Sequence, residues 1–260
     1  MRAPHSYILT CKRGASRLGN LLMDLSNRDI KSTVYHNDSV DFAKRETQGY
    51  PFTFNYDGLY DLHFPISLTD GEFACGYGHL QIWKMIACND DYAVVFEDDA
   101  VIKRQHFMQD IEALIESVPE FDVINLNARN TAIKHDDIWK ATSTGVHYKR
   151  YGCSDKMHNP LPSNPTSCYL ISRQGCNKLL RYEYLLGRIP IDLYMWIFSE
   201  HLFLTNEFFA IDPSILGKQT SLIQDWSLTR CTACTQTCNE TFGNGKNTFT
   251  FYDIPLDMSH

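Results

Sequence analysis

The segment from residue 92 to 102 constrains the fold of this chain more than any other. It reads Tyr-Ala-Val-Val-Phe-Glu-Asp-Asp-Ala-Val-Ile. A short apolar run rich in Val and aromatic residues is typical of a buried strand in a parallel sheet, so we predict a strand over Tyr92 to Phe96. Three carboxylates follow at once. Because side chains alternate along an extended segment, we expect Glu97 and Asp99 on one side and Asp98 on the other.

These three carboxylates repel one another, and they lose solvation if they lie in a cleft. A divalent cation held by oxygen ligands removes both penalties. Open α/β sheets bind their ligands at the carboxyl ends of the strands. The pattern therefore predicts a site for a metal ion and a diphosphate at the end of this strand. On spacing alone, a solvated acidic turn is an equal alternative.

The length and net charge of the chain limit the number of domains and the kinds of partner that we expect. The chain has 260 residues and a net charge of -7. This length suits one α/β domain, or one domain with a small appendage. The acidic balance argues against nucleic acid as a partner. Neither an apolar signal core nor an apolar run of roughly 18 residues is present, so we expect a cytoplasmic protein without a transmembrane segment.

Apolar periodicity predicts alternating strands and helices, and a strand, helix and strand in this order indicate a parallel crossover. Predicted strands cover residues 6–10, 31–35, 92–96, 121–126, 167–171, 203–204 and 208–211, with a hairpin at 141–151. Predicted helices cover residues 16–27, 70–88, 106–118, 173–186 and 193–198. We assign residues 1–225 to one domain, and residues 226–260 to an appendage or tail rich in Cys, Thr and Asn.

The cysteines leave several interpretations open. Three of the nine cluster as Cys231, Cys234 and Cys238. A structural zinc site needs four ligands as a rule, so a distant Cys or His would have to complete this one. Free thiols and a disulfide are the alternatives.

Longer motifs carry a resemblance to a known family. Residues 68–79, Leu-Thr-Asp-Gly-Glu-Phe-Ala-Cys-Gly-Tyr-Gly-His, are followed by Trp83 and by Val-Phe-Glu-Asp-Asp-Ala at 95–100. In this order they resemble glycosyltransferase family 25. That family contains bacterial lipooligosaccharide galactosyltransferases and the galactosyltransferase domain of collagen-modifying enzymes. Gly78 is a departure, because family members commonly carry Ser before the His.

The resemblance extends over about residues 5–225. Its later parts are Ser167 to Ser172, Gly175, Leu179, Leu180, Pro190-Ile191-Asp192, Pro213, Gln219 and Ser221. It implies a GT-A fold, an α/β architecture with a mixed, mainly parallel central sheet flanked by helices. It also implies inverting transfer of galactose, or glucose, from a UDP-sugar to a glycan or glycoconjugate in surface polysaccharide or lipooligosaccharide assembly. A lipid-linked acceptor would bring peripheral contact with a membrane.

The family's acidic motif implies that Glu97 and Asp99 bind Mn²⁺ or Mg²⁺, directly or through water. Asp192 is the candidate catalytic base, and a helix N-cap carboxylate is its alternative role. The candidate donor-binding residues are Thr10, Arg13, Arg17, Asn37, Asp38, Glu72, His79, Asp98, Gln219 and Ser221.

Each donor-site assignment has a structural alternative. Glu72 could be the capping-box partner of Thr69, and His79 a satisfied core histidine. Arg13 and Arg17 could be surface residues, and Asn37 with Asp38 could form a turn. For the whole chain, the alternatives are a non-catalytic nucleotide- or carbohydrate-binding module and a different metal-dependent phosphotransfer enzyme.

Overall fold

The computed structural model describes residues 4–38, 52–55, 61–64, 68, 70–127, 139–151, 166–183, 186, 190–206 and 209–211. The predicted tail at 226–260, with Cys231, Cys234 and Cys238, lies outside this part of the chain, as do Gln219 and Ser221. Among the helices described, none has the length and apolar character needed to cross a membrane.

The strands are β1 His5–Thr10, β2 Ser32–His36, β3 Phe52–Asn55, β4 Asp61–Phe64, β5 Tyr92–Glu97, β6 Val101–Ile102, β7 Val123–Asn125, β8 Lys140–Ala141, β9 His147–Arg150, β10 Cys168–Ser172, β11 Leu202–Thr205 and β12 Ala210–Ile211. The helices are α1 Ala15–Asn27, α2 Asp70–Asn89, α3 Phe107–Ser117, α4 Arg173–Leu180 and α5 Ile191–Phe198, and a 3-10 turn at Lys12–Gly14 precedes α1.

Eight strands form the main sheet, in the order β2-β1-β5-β10-β7-β11-β9-β8. The pairings make β9 and β10 antiparallel to their neighbours, so the other six strands share one direction. The predicted α/β architecture, with a mixed, mainly parallel central sheet flanked by helices, is confirmed. The predicted crossover from β5 through α3 to β7 has the expected direction, but β10 is inserted between these two strands.

Alternating side chains place an apolar core on each face of the sheet. On one face, Val95 packs in a cluster with Trp83 of α2, Leu179 of α4 and Tyr194 of α5. On the other face, the cluster includes Phe96 of β5 together with residues of α1 and α3. Helices thus cover both faces of a largely parallel sheet, as such sheets require.

Helix α4 is shorter than predicted. It ends at Leu180 rather than near residue 186. The amide of Arg181 donates to the carbonyl of Lys178, and that of Tyr182 donates to Leu179, at 3.2 and 3.1 Å. In both hydrogen bonds the acceptor lies three residues before the donor, as in a 3-10 turn, and this tighter turn ends the α-helix.

Gly78 allows α2 to approach β1 closely. A Cβ atom at this position would lie 2.4 Å from Cδ1 of Leu9 and 3.1 Å from Nδ2 of Asn37. Leu9 is a core residue with 6 % exposure, so it has little room to move. The departure from the family's Ser therefore has a packing reason, because a larger side chain would have to displace Leu9.

Candidate functional site

The carboxyl ends of β2, β1 and β5 meet at one edge of the sheet because these strands are parallel neighbours. Thr10 lies opposite His36, and Leu9 lies opposite Glu97. The amide of Asn37 donates to the carbonyl of Thr10 at 2.8 Å. This edge therefore brings Thr10, Asn37, Asp38 and the acidic triplet together, as the sequence predicts.

The acidic triplet is only partly extended. Strand β5 ends at Glu97, and the amide of Ala100 donates back to the carbonyl of Glu97 at 3.1 Å, which closes a turn over Asp98 and Asp99. The predicted alternation, with Glu97 and Asp99 on one side and Asp98 on the other, is therefore wrong. Asp98 and Asp99 instead both face Arg17.

Asp98 is a buried anchor and not part of a solvated acidic turn. It is 5 % exposed. Its Oδ2 accepts a hydrogen bond from Thr10 Oγ1 at 2.7 Å, and its Oδ1 lies 2.5 Å from Nη2 of Arg17. Arg17 Nη1 lies 3.7 Å from Asp99 Oδ2. Thr10, Arg17, Asp98 and Asp99 thus form one charged cluster at the strand end.

Gly14 is required by this packing. A Cβ atom there would lie 1.7 Å from Oδ2 of Asp98. The side chain of Asp98 has to move if Gly14 is replaced, and its contacts with Thr10 and Arg17 move with it.

We predict that Gly14→Ala destabilises the protein by about 1–3 kcal/mol, the usual cost of overpacking a filled site. The measurement is the free energy of unfolding in urea. Gly19→Ala is the matched control: a Cβ there meets no atom within 4 Å, and alanine gains about 1 kcal/mol over glycine within a helix. Equal stability of the two variants would contradict the packing of Gly14 against Asp98.

The side chains that follow β2 hydrogen-bond to the backbone of two other elements. Asp38 Oδ1 accepts a hydrogen bond from the amide of Lys12 at 2.8 Å. Asn37 Nδ2 donates to the carbonyl of Ala74 at 2.5 Å. Both residues lie at the predicted edge, and these contacts join β2 to the 3-10 turn and to α2, so they are not those of a local turn. Arg13 lies in the 3-10 turn, and its side chain is outside the description.

Glu97 turns away from this charged cluster, toward α2. Its Oε1 accepts hydrogen bonds from Nε2 of His79 at 3.2 Å and from the hydroxyl of Thr166. The thiol of Cys75 lies 3.8 Å from the same oxygen. Burial alone would raise the pKa of Glu97, but the hydrogen bond and charge of His79, the hydroxyl of Thr166 and the charge of Arg17 hold the pKa below its ordinary value. Glu97 is therefore an anionic hydrogen-bond acceptor at neutral pH.

His79 connects Glu97 to the core. It is fully buried, and its Nδ1 lies 2.8 Å from the hydroxyl of Tyr169. That hydroxyl accepts a hydrogen bond from Nε1 of Trp83 at 2.9 Å. Because a carboxylate only accepts, Nε2 of His79 carries the proton of its hydrogen bond to Glu97. His79 is therefore a satisfied core histidine that also positions Glu97.

We predict that Tyr169→Phe destabilises the protein by about 2–5 kcal/mol, since it leaves Trp83 Nε1 and His79 Nδ1 buried without this partner. Tyr148→Phe is the control. Its hydroxyl donates to the carbonyl of Ser117, which ends α3, so we expect a loss of about 1 kcal/mol. Urea unfolding checks both values, and a Tyr169→Phe cost no larger than that of Tyr148→Phe would contradict the network.

Two residues of this site were not predicted from the sequence. Cys75 lies four residues before His79 on α2, and this helical spacing is a pattern that could have indicated the pair. Thr166 follows a proline-rich stretch, and its sequence context contains nothing that points to Glu97. The ligand atoms of Cys75, His79 and Glu97 all lie within 4.8 Å of one another, which makes them a group that could hold a metal ion.

Asp192 lies near the same group. It is an exposed residue in the first turn of α5, whose N-cap is Pro190, so the alternative role of N-cap does not apply. Burial raises the pKa of the Cys75 thiol well above its usual range, and the charges of Glu97, Asp192 and Asp99 raise it further. The carboxylate of Asp192 is thus close enough to act on the thiol electrostatically.

Glu72 remains unassigned between its two predicted roles. It lies in the first turn of α2, half-buried. Its proposed capping partner Thr69 is outside the described residues. The predicted donor contacts of Gln219 and Ser221 also stay predictions.

The fold of this chain has only low similarity to the solved structures that it matches. A197 from STIV has a TM-score of 0.39 at 10% identity, over 79% of this chain and 83% of that one. A glycosyltransferase involved in the glycosylation of the major capsid of PBCV-1 has a TM-score of 0.41 at 10% identity, over 81% and 83%. Mannose-1-phosphate geranyltransferase from Thermus thermophilus has a TM-score of 0.40 at 12% identity, over 84% and 80%. The fold class therefore rests on the strand order of this chain.

Similarity in amino-acid sequence identifies the family of this chain more specifically than similarity in fold does. A protein of Aedes aegypti described as "Glycosyltransferase 25 family member" is 29% identical over 149 residues, which make up 55% of this chain and 22% of that protein. The match thus spans about a fifth of that relative. Residues 43–195 match the family model described as "Glycosyltransferase family 25 (LPS biosynthesis protein)". This range is more than half of the chain, and it contains α2, the acidic triplet and Asp192. The chain belongs to glycosyltransferase family 25.

Proposed function

We propose that this protein is a metal-dependent, inverting glycosyltransferase that moves a hexose from a UDP-sugar to a hydroxyl of a glycan or glycoconjugate. UDP-galactose is the favoured donor and UDP-glucose the second. The observation that carries this proposal is the charged cluster of Thr10, Arg17, Asp98 and Asp99 at the carboxyl end of β5, in which Asp98 is buried and Arg17 and Asp99 are partly exposed. This is where an open α/β sheet accommodates a nucleotide ligand.

The donors at this edge fit a hard divalent cation such as Mn²⁺ or Mg²⁺, which prefers carboxylate oxygens. Asp99 lies in the turn beside Arg17, and Glu97 lies next to it at the end of β5. We propose these two as the ligands, with Glu97 acting through water because its Oε1 already accepts from His79. A bound ion would stabilise the negative charge that develops on the leaving diphosphate.

Arg17 contributes a fixed positive charge to the same edge. Its guanidinium is held by Asp98 at 2.5 Å and is 19 % exposed. A guanidinium fixed in this way loses little side-chain entropy when it binds a phosphate oxygen. We propose that Asp98 positions Arg17 for the diphosphate and does not itself touch the sugar.

Asp192 is the proposed base. Inversion requires a group that removes the acceptor's proton while its oxygen attacks from the face opposite the leaving diphosphate. Asp192 is exposed, so an acceptor can reach it, and its charge acts on Cys75 beside the acidic edge. We propose that its carboxylate accepts the hydroxyl proton in this step.

The acceptor and its cellular setting are also proposals. The family description refers to LPS biosynthesis. A glycan or lipid-linked acceptor in surface polysaccharide assembly agrees with that description, and it would place the protein in the cytoplasm with peripheral contact to a membrane.

The test is a screen of nucleotide sugars with the full chain and Mn²⁺, with release of the nucleotide diphosphate measured by mass spectrometry. We expect release of UDP from UDP-galactose, its suppression by EDTA, and recovery on adding Mn²⁺. Calorimetric binding of UDP without turnover of any donor, whatever acceptor is supplied, would instead identify a non-catalytic binding module.

A further inference from the structure

Three side chains beneath the acidic edge form a compact group of metal-binding atoms. We call Cys75, His79 and Glu97 the Cys75 cluster. Cys75 and His79 are four residues apart on α2 and therefore share one face of the helix. Glu97 reaches this face from the end of β5. Its Oε1 lies 3.2 Å from His79 Nε2 and 3.8 Å from Cys75 Sγ, and the three ligand atoms lie within 4.8 Å of one another.

These separations suit a tetrahedral ion. Zinc binds thiolate sulfur at about 2.3 Å and imidazole or carboxylate atoms at about 2.0–2.2 Å, so its ligand atoms lie roughly 3.3–3.7 Å apart. Two separations within the cluster, 3.2 and 3.8 Å, are close to this range. We propose that the Cys75 cluster binds a thiophilic divalent cation of the Zn²⁺ class.

The chemistry of the donors selects this class of ion. One sulfur, one imidazole nitrogen and one carboxylate oxygen favour Zn²⁺ or Co²⁺ over Mg²⁺ and Mn²⁺, which prefer oxygen alone. Burial and the carboxylates of Glu97, Asp192 and Asp99 raise the pKa of the Cys75 thiol, so a bound cation offsets this negative charge and the thiol releases its proton to solvent as it becomes a ligand. A water molecule reaching the cluster past Glu97, which is 20 % exposed, supplies the fourth ligand.

The surroundings of His79 are those of a metal-binding histidine. Ligating histidines generally hydrogen-bond through their second ring nitrogen, which fixes the ring. Here Nδ1 of His79 lies 2.8 Å from the hydroxyl of Tyr169, and Trp83 Nε1 holds that hydroxyl at 2.9 Å. On metal binding, Nε2 gives up its proton and becomes a ligand, and the ring keeps one proton on Nδ1, which the Tyr169 hydroxyl accepts.

This proposal does not rest on the proposed transferase activity, although Glu97 belongs to both proposed metal sites. The Mn²⁺ or Mg²⁺ of the transferase is assigned to Asp99, with Glu97 acting through water, whereas Cys75 and His79 contact Glu97 from α2. A protein that transfers no sugar would still hold the cluster, so its test needs no turnover.

The test is a titration of the full chain with Co²⁺, followed by absorption. Cys231, Cys234 and Cys238 could bind the same ions, so the starting protein is the Cys231→Ser/Cys234→Ser/Cys238→Ser variant. We expect one equivalent of Co²⁺ to give a thiolate-to-metal charge-transfer band and tetrahedral d–d bands, both removed by Zn²⁺. Cys75→Ser should abolish the charge-transfer band, and His79→Gln should weaken Zn²⁺ binding by about 100-fold or more.

Cys11→Ser is the matched control, since Cys11 is also a partly buried free thiol. It should leave the bands unchanged. A charge-transfer band that is absent from the starting variant, or that survives Cys75→Ser, overturns the proposal. If circular dichroism shows Cys75→Ser to be unfolded, X-ray absorption of the Zn²⁺-loaded starting variant decides: one sulfur with nitrogen and oxygen neighbours supports the site, and a shell without sulfur overturns it.

Discussion

Asp192→Asn is expected to lower kcat for glycosyl transfer by about 10²–10⁴-fold, the usual contribution of a positioned general base. The substitution keeps the shape of the side chain and removes its ability to accept a proton. KM for the donor should change little, because the proton is removed from the acceptor. Steady-state kinetics with varied donor and acceptor provide the measurement.

The fold should survive this change. Asp192 lies in the first turn of α5, where a carboxylate favours the helix by at most about 1 kcal/mol. Glu116→Gln serves as the control, since Glu116 is an exposed acid on α3, a few residues before β7. A wild-type-like kcat for Asp192→Asn, with Glu116→Gln also active, would remove Asp192 from the role of base.

Asp99→Ala is expected to abolish Mn²⁺-dependent transfer and donor hydrolysis, with a fall of about 10²–10³-fold. The variant loses a carboxylate oxygen for the ion at the point where the diphosphate would lie. Arg17 keeps its contact with Asp98, so the strand end should remain folded. Activity is measured across a Mn²⁺ titration. The Asp99→Asn variant keeps the shape of the side chain without its charge, and therefore tests whether metal-dependent activity requires the carboxylate.

Asp91→Asn is the matched control for this prediction. Asp91 precedes β5 at the opposite edge of the sheet, and its side chain is 81 % exposed. We expect wild-type activity and the same Mn²⁺ dependence. If Asp99→Ala behaves like Asp91→Asn, the assignment of the metal to the acidic triplet is wrong.

The sequence predicted the elements of the site better than their contacts. The apolar run before Glu97 and the periodicity of the helix leading to Trp83 predicted β5 and α2, because each pattern reports local backbone geometry. The same reasoning failed beyond Glu97. Alternation holds only while the backbone is extended, and the spacing left an acidic turn as an equal alternative without indicating that Asp98 would be buried in it.

The order of strands was also beyond the reach of local patterns. A strand over residues 167–171 was predicted, but its insertion between β5 and β7 in the reverse direction was not. Hydrophobic periodicity identifies a buried strand without identifying its neighbour, since pairing depends on how the whole chain packs. This insertion brings Thr166 beside Glu97, which is why local patterns could not predict that contact.

The order of residues was enough to establish an α/β protein of glycosyltransferase family 25, with an acidic strand end and a basic residue at 17. The contacts of each acid became visible only in the folded structure. Asp98 is buried against Arg17 and Thr10, and Glu97 faces Cys75 and His79. The physical reason is that adjacent residues of one charge meet different partners once the backbone turns. Their roles are set by groups 18 to 88 positions away in the chain.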